Sequence, residues 1–382
     1  MASFFSEPQG AAIFKHELLK RYIAIYVSKV GRFSPGGRVA YLDGFAGAGS
    51  YEDGSPGSPA LALATAEALS SVRDLRCYFV ERDTGTYKKL ADNVARAPGA
   101  DHARVVHGDI SEELDRILGE VSDAPLFAFL DPFGLGLPFD QLVGRLMTRS
   151  TRKAGRRVGP STEVMVNFVH AGIYRTAGKL KLSSANPIQV AAAAATIAEV
   201  NTNLGGTWWQ EIWRSRLLVA DRVTAIRDGY LQRVMHEAGS GWSYFQVPVS
   251  DTWRGKTIYD LVLLTQHEQG IWFFNESVSL ARGVFRQEVE PGLALTPQLW
   301  GPEDEWHDVI VANLRDLVRQ GTRFRVFDRL TDVYGETLGA ARQTHLRKAL
   351  QRVYDEDLIT LRPKGDLMNF AVVPTARHTP SH

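Results

Sequence analysis

The sequence predicts an α/β fold, in which a mostly parallel seven-stranded sheet carries helices on both of its faces. Short apolar runs alternate with helical stretches from residue 38 onwards, which is the order that builds a parallel sheet. The first four runs each lead into an acidic residue. Two later strand-like runs, 243–249 and 258–264, predict that the sheet ends with an antiparallel strand.

Apolar residues at helical spacing predict an opening helix over 11–30. Strands are predicted at 38–42, 75–80, 103–106, 125–130 and 163–169, with helices at 60–71, 86–97 and 111–119. The acids after the first four strands are Asp43, Glu81, Asp109 and Asp131. Because the carboxyl ends of parallel strands lie along one edge of a sheet, where ligands bind, these acids predict a functional site there.

The chain has 382 residues, which exceeds one ordinary domain. We expect a first domain over 1–290, with a helical insertion at about 171–240, and a linker over 291–303. The remaining residues, 304–382, show three helical stretches followed by a hairpin pattern at 358–362 and 367–373. Three helices followed by a two-stranded wing is the order of a winged-helix domain.

Composition narrows the class of protein. Apolar residues make up 44% of the chain and its formal net charge is +1, so charge alone indicates no partner. The single cysteine, Cys77, cannot form an internal disulfide, which favours a reducing, cytoplasmic location. No run approaches the ~20 apolar residues of a membrane span. Histidines and acids show no metal-ligand spacing, so we expect no metal and no membrane contact.

A glycine-rich turn follows the first strand. Its candidate cofactor-binding residues are Asp43, Gly44, Phe45, Ala46, Gly47 and Gly49. Glycines let the backbone approach a ligand closely, although a tight turn without a ligand would also account for them. Glu81 lies where a carboxylate accepts both ribose hydroxyls of an adenosine ligand, and Asp109 could face the adenine amino group. A solvated strand end or an ordinary loop acid is the alternative for each.

The fourth strand ends in Asp131-Pro132-Phe133-Gly134, the most specific short motif of the chain. An acid, a proline-restricted turn and an aromatic ring form a rigid platform. Asp131 could accept hydrogen bonds from a target amine while Phe133 stacks on a flat base, so that positioning supplies most of the rate. We take Asp131, Pro132 and Phe133 as the candidate catalytic residues. The alternative is an Asp-Pro turn with the ring in the core.

These two motifs together resemble the first and fourth motifs of amino-directed nucleic-acid methyltransferases. Phe133 falls where their second proline or aromatic stands, so the match is partial. The nearer resemblance is to the three-Cys-motif partner proteins, over roughly residues 10–285. It rests on Tyr41–Tyr51, Gly57–Leu61, Lys15-His16, Phe79–Glu81 and Leu130–Gly134. The resemblance implies a Rossmann-like methyltransferase fold that uses S-adenosylmethionine, and a partner protein that carries three cysteines.

Candidate substrate-binding residues come from four places in the chain. They are Lys15 and His16 on the opening helix, His170 after the fifth strand, Arg152 and Arg156 in a stretch that looks like a loop, and Arg342 and Lys348 in the third tail helix. Residues 145–182 hold nine Lys or Arg against one acid, Glu163, an imbalance that attracts polyanions. A solvated helix face would explain Lys15 and His16 equally well, and a surface position would explain His170.

The sequence therefore favours S-adenosylmethionine-dependent methyl transfer to an amino nitrogen of a nucleobase in DNA or RNA. Two alternatives stay open. The acceptor could be a small nucleoside-like natural product, or the methyltransferase fold could serve a non-catalytic protein that binds nucleic acid or a partner. Salt-dependent binding of nucleic acid would separate the first alternative from the favoured function.

Overall fold

A computed structural model describes residues 10–51, 54–132, 136–149, 151–153, 156–180, 186–252, 255–289 and 303–375. The chain divides into two compact units, Met1–His267 and Glu268–His382. The predicted linker, 291–303, lies outside the described residues except for Glu303, at which a helix begins. None of the helices in the described ranges is both long enough and apolar enough to cross a membrane.

The first unit is built on the expected sheet. Its strands are β1 (Arg38–Asp43), β2 (Asp74–Glu81), β3 (Ala103–His107), β4 (Leu126–Leu130), β7 (Thr162–Val169), β8 (Ser243–Val249) and β9 (Tyr259–Thr265). They are ordered β3-β2-β1-β4-β7-β9-β8, and only β9 runs antiparallel to its neighbours. The fold is therefore α/β and Rossmann-like, with seven strands and an antiparallel last strand, as predicted.

This strand order creates a switch point. From β1 the chain proceeds outwards to β2 and β3, and then returns to place β4 on the other side of β1. In open α/β sheets the crevice at such a point, beyond the carboxyl ends of the strands, is where ligands bind. Asp43 is the last residue of β1 and Asp131 follows β4, so the two predicted acids flank the switch point.

Helices cover both faces of the sheet. In the first unit they are α1 (Gly10–Val30), α2 (Ser58–Leu69), α3 (Thr84–Arg96), α4 (Ile110–Glu120), α5 (Phe139–Gln141), α6 (His170–Lys179), α7 (Pro187–Leu204), α8 (Trp208–Arg214) and α9 (Val219–Ala238). The start of α3 is capped by Asp83, whose side chain accepts the Thr86 N–H. The apolar faces of α4 and α9 pack with β1 and β4 in one buried cluster.

The basic stretch that looked like a loop contains two short strands. β5 (Thr151–Lys153) and β6 (Arg156–Val158) pair antiparallel with each other. The prediction of a loop is therefore wrong for 151–153 and 156–158. β5 and β6 form a separate two-stranded sheet and do not join the seven-stranded one. Both carry candidate substrate-binding residues, Arg152 and Arg156.

The second unit contains α10 (Glu268–Val289), α11 (Glu303–Arg319), α12 (Leu330–Tyr334) and α13 (Gln343–Asp355), with two-residue strands β10 (Phe324–Arg325) and β11 (Ala371–Val372). The sequence assigns α10 to the first domain, but it packs with the tail. Trp272 lies in the core of the second unit. The Asn275 amide donates to the carbonyl of Ala341 and accepts the Gly339 N–H at 2.6 Å.

The predicted hairpin at the end of the chain is present only in part. The two runs meet at an antiparallel bridge between Ile359 and Pro374, where the Thr360 N–H donates to the carbonyl of Val373 and the Thr375 N–H donates to the carbonyl of Leu358. β11, at the end of the second run, pairs with β10 instead, and Phe324 of β10 packs against the same core as Ile359 and Val372. The winged-helix assignment stays a prediction.

Candidate functional site

The glycine-rich turn starts at Asp43, whose carboxylate exposes no surface. Its Oδ1 accepts the Phe45 N–H at 3.2 Å, which bends the chain away from β1. The Gly44 N–H then donates to the carbonyl of Phe129 on β4, and the Ala46 N–H donates to the carbonyl of Val80 on β2. Backbone hydrogen bonds thus join the turn to both neighbours of β1, at the edge of the sheet where a ligand would bind.

The glycines of the turn have different roles. Gly44 is needed for packing, since a Cβ there would come within 2.9 Å of Leu130. Gly49 has φ +80° and would meet Leu90 at 3.0 Å. Gly47 has φ +60°, and its Cβ position meets no described atom within 4 Å. Gly47 therefore presents bare backbone on a side that none of the described residues fills.

Glu81, at the end of β2, is linked directly to this turn. Its Oε2 accepts the Gly47 N–H at 3.1 Å and its Oε1 accepts the Asp83 N–H at 2.8 Å. The side chain is half-buried. Each carboxylate oxygen has two lone pairs, so Glu81 keeps the capacity to accept hydrogen bonds from a ligand.

Asp109 follows β3 and caps α4. Its Oδ1 accepts the N–H of Ser111 at 2.9 Å and the Ser111 hydroxyl at 2.8 Å, and Arg82 lies 3.4 Å from its Oδ2. Burial alone would raise the pKa of Asp109, but the Ser111 and Arg82 donors lower it. This capping role accounts for Asp109 without a ligand, and its role toward adenine stays a prediction.

Asp131 lies just beyond β4 and is held by two donors. Lys15 Nζ, on α1, lies 2.5 Å from Oδ2, and Asn167 Nδ2, on β7, donates to Oδ1 at 2.5 Å. The register explains the second contact, since Leu130 pairs with Val166 and the next residues face each other. The side chains of Lys15 and Asp131 are 13% and 19% exposed, so this ion pair is largely removed from water.

Asn167 was not among the predicted site residues. Its Oδ1 is buried, and no described donor lies within hydrogen-bonding distance of it. A polar residue near the carboxyl end of a strand could have indicated a site residue. Asn167 was passed over because it lies within the predicted strand 163–169, whose other residues are mostly apolar.

Burial alone would lower the pKa of Lys15, but the Asp131 carboxylate more than offsets this and raises it above its usual value. Lys15 is therefore a cation at neutral pH. The next residue, His16, behaves differently. Burial and the nearby Lys15 charge lower the pKa of His16 to about 4, so its ring is neutral, and its Nε2 lies 3.0 Å from the Tyr51 hydroxyl.

Burial raises the pKa of Asp43 to about 7, although the Ser58 hydroxyl and the Phe45 amide lower it in part. The negative charge of Asp131 adds to the upward shift, and that of Lys15 opposes it. These effects show that Asp43, Asp131 and Lys15 share one electrostatic environment at the switch point.

His170 begins α6, and its side chain is buried rather than on the surface. Its Nε2 lies 2.6 Å from Asp260 on β9. Asp260 also receives hydrogen bonds from Arg227 and Gln246. This network satisfies the ring of His170 internally, and its role toward a substrate stays a prediction.

The basic residues of 145–182 are not one surface. Arg149 is turned inwards, where it donates to the carbonyls of Val121 and Ala124, and burial lowers its pKa. Arg145 is exposed and lies 3.7 Å from Asp115.

Pro132 is buried beside Asp131. Phe133 and the side chains of Arg152 and Arg156 lie outside the described residues.

In the second unit, Arg342 precedes α13, and its N–H donates to Nδ1 of the buried His345. Lys348 lies on the exposed face of α13. Across the described ranges, no group of three or more His, Cys, Asp or Glu residues could hold a metal ion.

No family model matches the chain, and no curated protein is significantly similar to it. Solved structures resemble it at low identity. Protein LPL1258 from Legionella pneumophila, a DUF519 protein, is 14% identical, with a TM-score of 0.41 over 75% of this chain and 95% of that one.

Two further structures are methyltransferases. An RNA methyltransferase from Salinibacter ruber, in complex with S-adenosyl-L-homocysteine, is 18% identical with a TM-score of 0.23, over 38% of this chain and 74% of that one. The O-methyltransferase TomG from Streptomyces achromogenes, in complex with SAM, is 13% identical with a TM-score of 0.31, over 68% and 80%.

Proposed function

We propose that this chain uses S-adenosylmethionine to methylate an amino nitrogen, and that the acceptor is a nucleobase of DNA or RNA. The observation that carries the proposal is the Lys15–Asp131–Asn167 cluster at the switch point of the sheet. The cluster adjoins the turn that begins at Asp43, because β1 and β4 are neighbouring strands.

Asp131 is suited to receive an amine. Lys15 and Asn167 each occupy one of its oxygens, which fixes the plane of the carboxylate. Each oxygen keeps a second lone pair, and the side chain is 19% exposed. A target amine that donates to Asp131 would be oriented by it, and the fixed carboxylate would stabilise the positive charge that develops on the nitrogen.

The turn, which adjoins the cluster, is suited to the cofactor. S-adenosylmethionine supplies the methyl group when it is bound. The open backbone at Gly47 leaves room for it, and the half-buried Glu81 carboxylate next to Gly47 can accept the ribose hydroxyls. Asp43 has no exposed surface, so it would act by shaping the turn through Phe45.

The nucleobase acceptor rests on the Asp131-Pro132-Phe133 motif and on the basic residues near it in sequence. Phe133 would stack on the base, and Arg152 and Arg156 on β5 and β6 would meet phosphates. The family resemblance adds a partner protein that carries three cysteines to this proposal.

A calorimetric titration with S-adenosylmethionine and its demethylated product tests the cofactor. We expect micromolar binding to the parent protein and a loss of about tenfold or more in Glu81→Ala, because the ribose hydroxyls lose their acceptor. Glu67→Ala is the matched control, since Glu67 is an exposed acid on α2. If the parent binds neither ligand, the methyltransferase proposal fails.

Methyl transfer is then measured with labelled cofactor and single- or double-stranded DNA and RNA. Asp131→Asn should lower kcat on the order of 100-fold while leaving cofactor affinity within about threefold, because it removes the carboxylate charge that faces the amine and pairs with Lys15 but leaves Gly47 and Glu81 unchanged. Labelling of a small nucleoside but of no polymer would favour the small-molecule alternative. Cofactor binding without transfer to any acceptor would favour a non-catalytic role or a missing partner.

A further inference from the structure

The exposed face of α13 is strongly polar. The helix buries His345, Leu346, Ala349, Leu350 and Val353 against the core of its unit. On the opposite side it exposes Thr344, Arg347, Lys348, Arg352 and Asp355. This is the i, i+3, i+4 spacing of one helix face, and it runs for three turns without an acid before Asp355.

A second basic segment faces this helix. Residues 362–364 read Arg-Pro-Lys, with Pro363 buried and its two neighbours exposed. Between the segment and α13 lies a groove of about 900 Å³. Its lining residues are Thr344, Arg347, Lys348, Gln351, Arg352, Asp355, Glu356, Arg362, Pro363 and Lys364. Five of them are basic and two are acidic, so the groove has a net charge of +3 although the whole chain has +1.

The five basic side chains fall into two groups. Arg347 and Arg352 are held by the protein, Arg347 through the carbonyl of Gly365 and Arg352 through Asp308 and Glu356. Lys348, Arg362 and Lys364 are exposed, and no described carboxylate forms an ion pair with any of them. The first group builds the groove and the second is available to an outside anion.

The lining indicates the class of ligand. A groove that docks a protein helix needs aromatic or aliphatic anchor sites, and the only apolar residue here is the buried Pro363. Instead the groove offers cations together with the hydroxyl of Thr344, which can donate to phosphate oxygens, and the amide of Gln351, which donates one N–H to Asp355 and keeps a second for a ligand. The exposed face of α13, at about 1.5 Å per residue, extends roughly 18 Å and spans several successive phosphates.

We infer that this groove binds the phosphate backbone of a double-stranded nucleic acid through Lys348, Arg362 and Lys364. The inference concerns a surface separate in sequence from the proposed methyl-transfer residues. It holds whether or not methyl transfer occurs, and it deepens the proposed function by indicating how a polymeric acceptor is retained.

The test measures binding of fluorescein-labelled 20-base-pair duplexes, one of DNA and one of RNA, to the full chain by fluorescence anisotropy at ~50, 100 and 200 mM salt. The variant is Lys348→Gln/Arg362→Gln/Lys364→Gln. Loss of three phosphate contacts should lower the salt slope of log K by about 2.7 and the affinity at ~100 mM salt on the order of 100-fold. The two duplexes distinguish DNA from RNA as the source of the phosphates.

The matched control is Lys88→Gln/Lys89→Gln/Arg96→Gln, which removes the same charge from exposed positions on α3. It should leave the salt slope within about 1 of the parent value. Equal losses in the two triple variants, or no binding of either duplex to the parent, would overturn the inference. So would binding of polyglutamate, but of neither duplex, at the groove, which would indicate an acidic protein. Cofactor titration of the groove variant reports separately on the methyl-transfer proposal.

Discussion

The cluster at the switch point and the groove beside α13 both depend on cations, but they place those cations in opposite environments. Lys15 is 13% exposed and lies 2.5 Å from Asp131. Lys348, Arg362 and Lys364 are exposed and form no ion pair with any described carboxylate. A largely buried pair is costly to break and little screened by salt, whereas exposed charges contribute little to stability and are strongly screened.

The two sets of charges suit different tasks. The buried pair holds one carboxylate in one orientation, which is what a reaction centre requires. The exposed cations act over a Debye length of about 10 Å at 0.1 M salt and can attract a polymer before any close contact forms. Each of the following changes tests one side of this comparison.

The largest effect is expected from Lys15→Met, which leaves the Asp131 carboxylate without its cation in a largely buried place. We expect the free energy of unfolding to fall by about 3 kcal/mol or more, measured by urea titration. Lys20→Met on the same helix is the control, because its pair with Glu17 is 3.8 Å long and Lys20 is 61% exposed. That variant should lose about 0.5 kcal/mol or less. Equal losses would show that the Lys15–Asp131 pair is no different from a surface pair.

The next effect concerns Asp43 and pH. Burial raises its pKa to about 7 in the folded chain, against a usual value of 3.8. As pH rises from 5 to 8, the unfolded chain has already lost this proton while the folded chain gives it up late, so the raised pKa progressively destabilises the folded state. Asp43→Asn removes this titration. Its stability relative to the parent should therefore improve by about 2–3 kcal/mol between pH 5 and pH 8, measured by urea titration at each pH.

Asp83→Asn is the control for that experiment, because Asp83 is exposed and the Thr86 donors lower its pKa. Its variant should lose stability relative to the parent as pH rises through the acid range and then stay level between pH 5 and pH 8. If the stability of Asp43→Asn relative to the parent declines or does not change between pH 5 and pH 8, the carboxyl of Asp43 does not titrate near pH 7 in the folded chain.

Asn167→Ala should have a smaller effect. It removes one donor to Asp131 but leaves the Lys15 pair in place. We expect a loss of about 1.5 kcal/mol by urea titration. The double variant Lys15→Met/Asn167→Ala should depart from the sum of the single losses, because both residues hold the same carboxylate. Simple additivity would mean that the two contacts act independently.

The smallest effect on stability belongs to the groove. Lys348→Gln/Arg362→Gln/Lys364→Gln should change the free energy of unfolding by less than about 0.5 kcal/mol, because the three side chains are exposed. The thermal midpoint measured with and without duplex is the sharper readout, since only the parent should be stabilised by the duplex. A large loss of stability without duplex would show that these side chains support the fold itself.

Much of this fold could be predicted from local patterns. Alternating apolar and helical runs predicted the parallel sheet, and the acids Asp43, Glu81 and Asp131 lie at the expected strand ends. Such patterns work because the side chains that set them are close in sequence. The hydrogen bond from the Gly47 N–H to Glu81 could be expected too, because β1 and β2 are adjacent strands and both residues lie near their carboxyl ends.

The contacts that define the site could not be predicted in this way. Lys15 and Asp131 are 116 residues apart, and the sequence around Lys15 does not indicate which carboxylate its side chain contacts. Arg149 lies in the basic stretch that was expected to attract phosphates, but its side chain points inwards and donates to backbone carbonyls. Asp109 was a candidate for contact with adenine, but in the structure its carboxylate caps α4. Long-range packing decided each of these three outcomes.

The position of α10 has a practical consequence for dividing the chain. Trp272 is 4% exposed in the core of the second unit, and Asn275 holds the backbone at Gly339 and Ala341. A fragment that ends near residue 290 would retain this helix but lose the residues that cover its tryptophan, which creates an aggregation-prone surface. If the first fragment ends at His267 instead, α10 stays in the second fragment together with the core that covers Trp272.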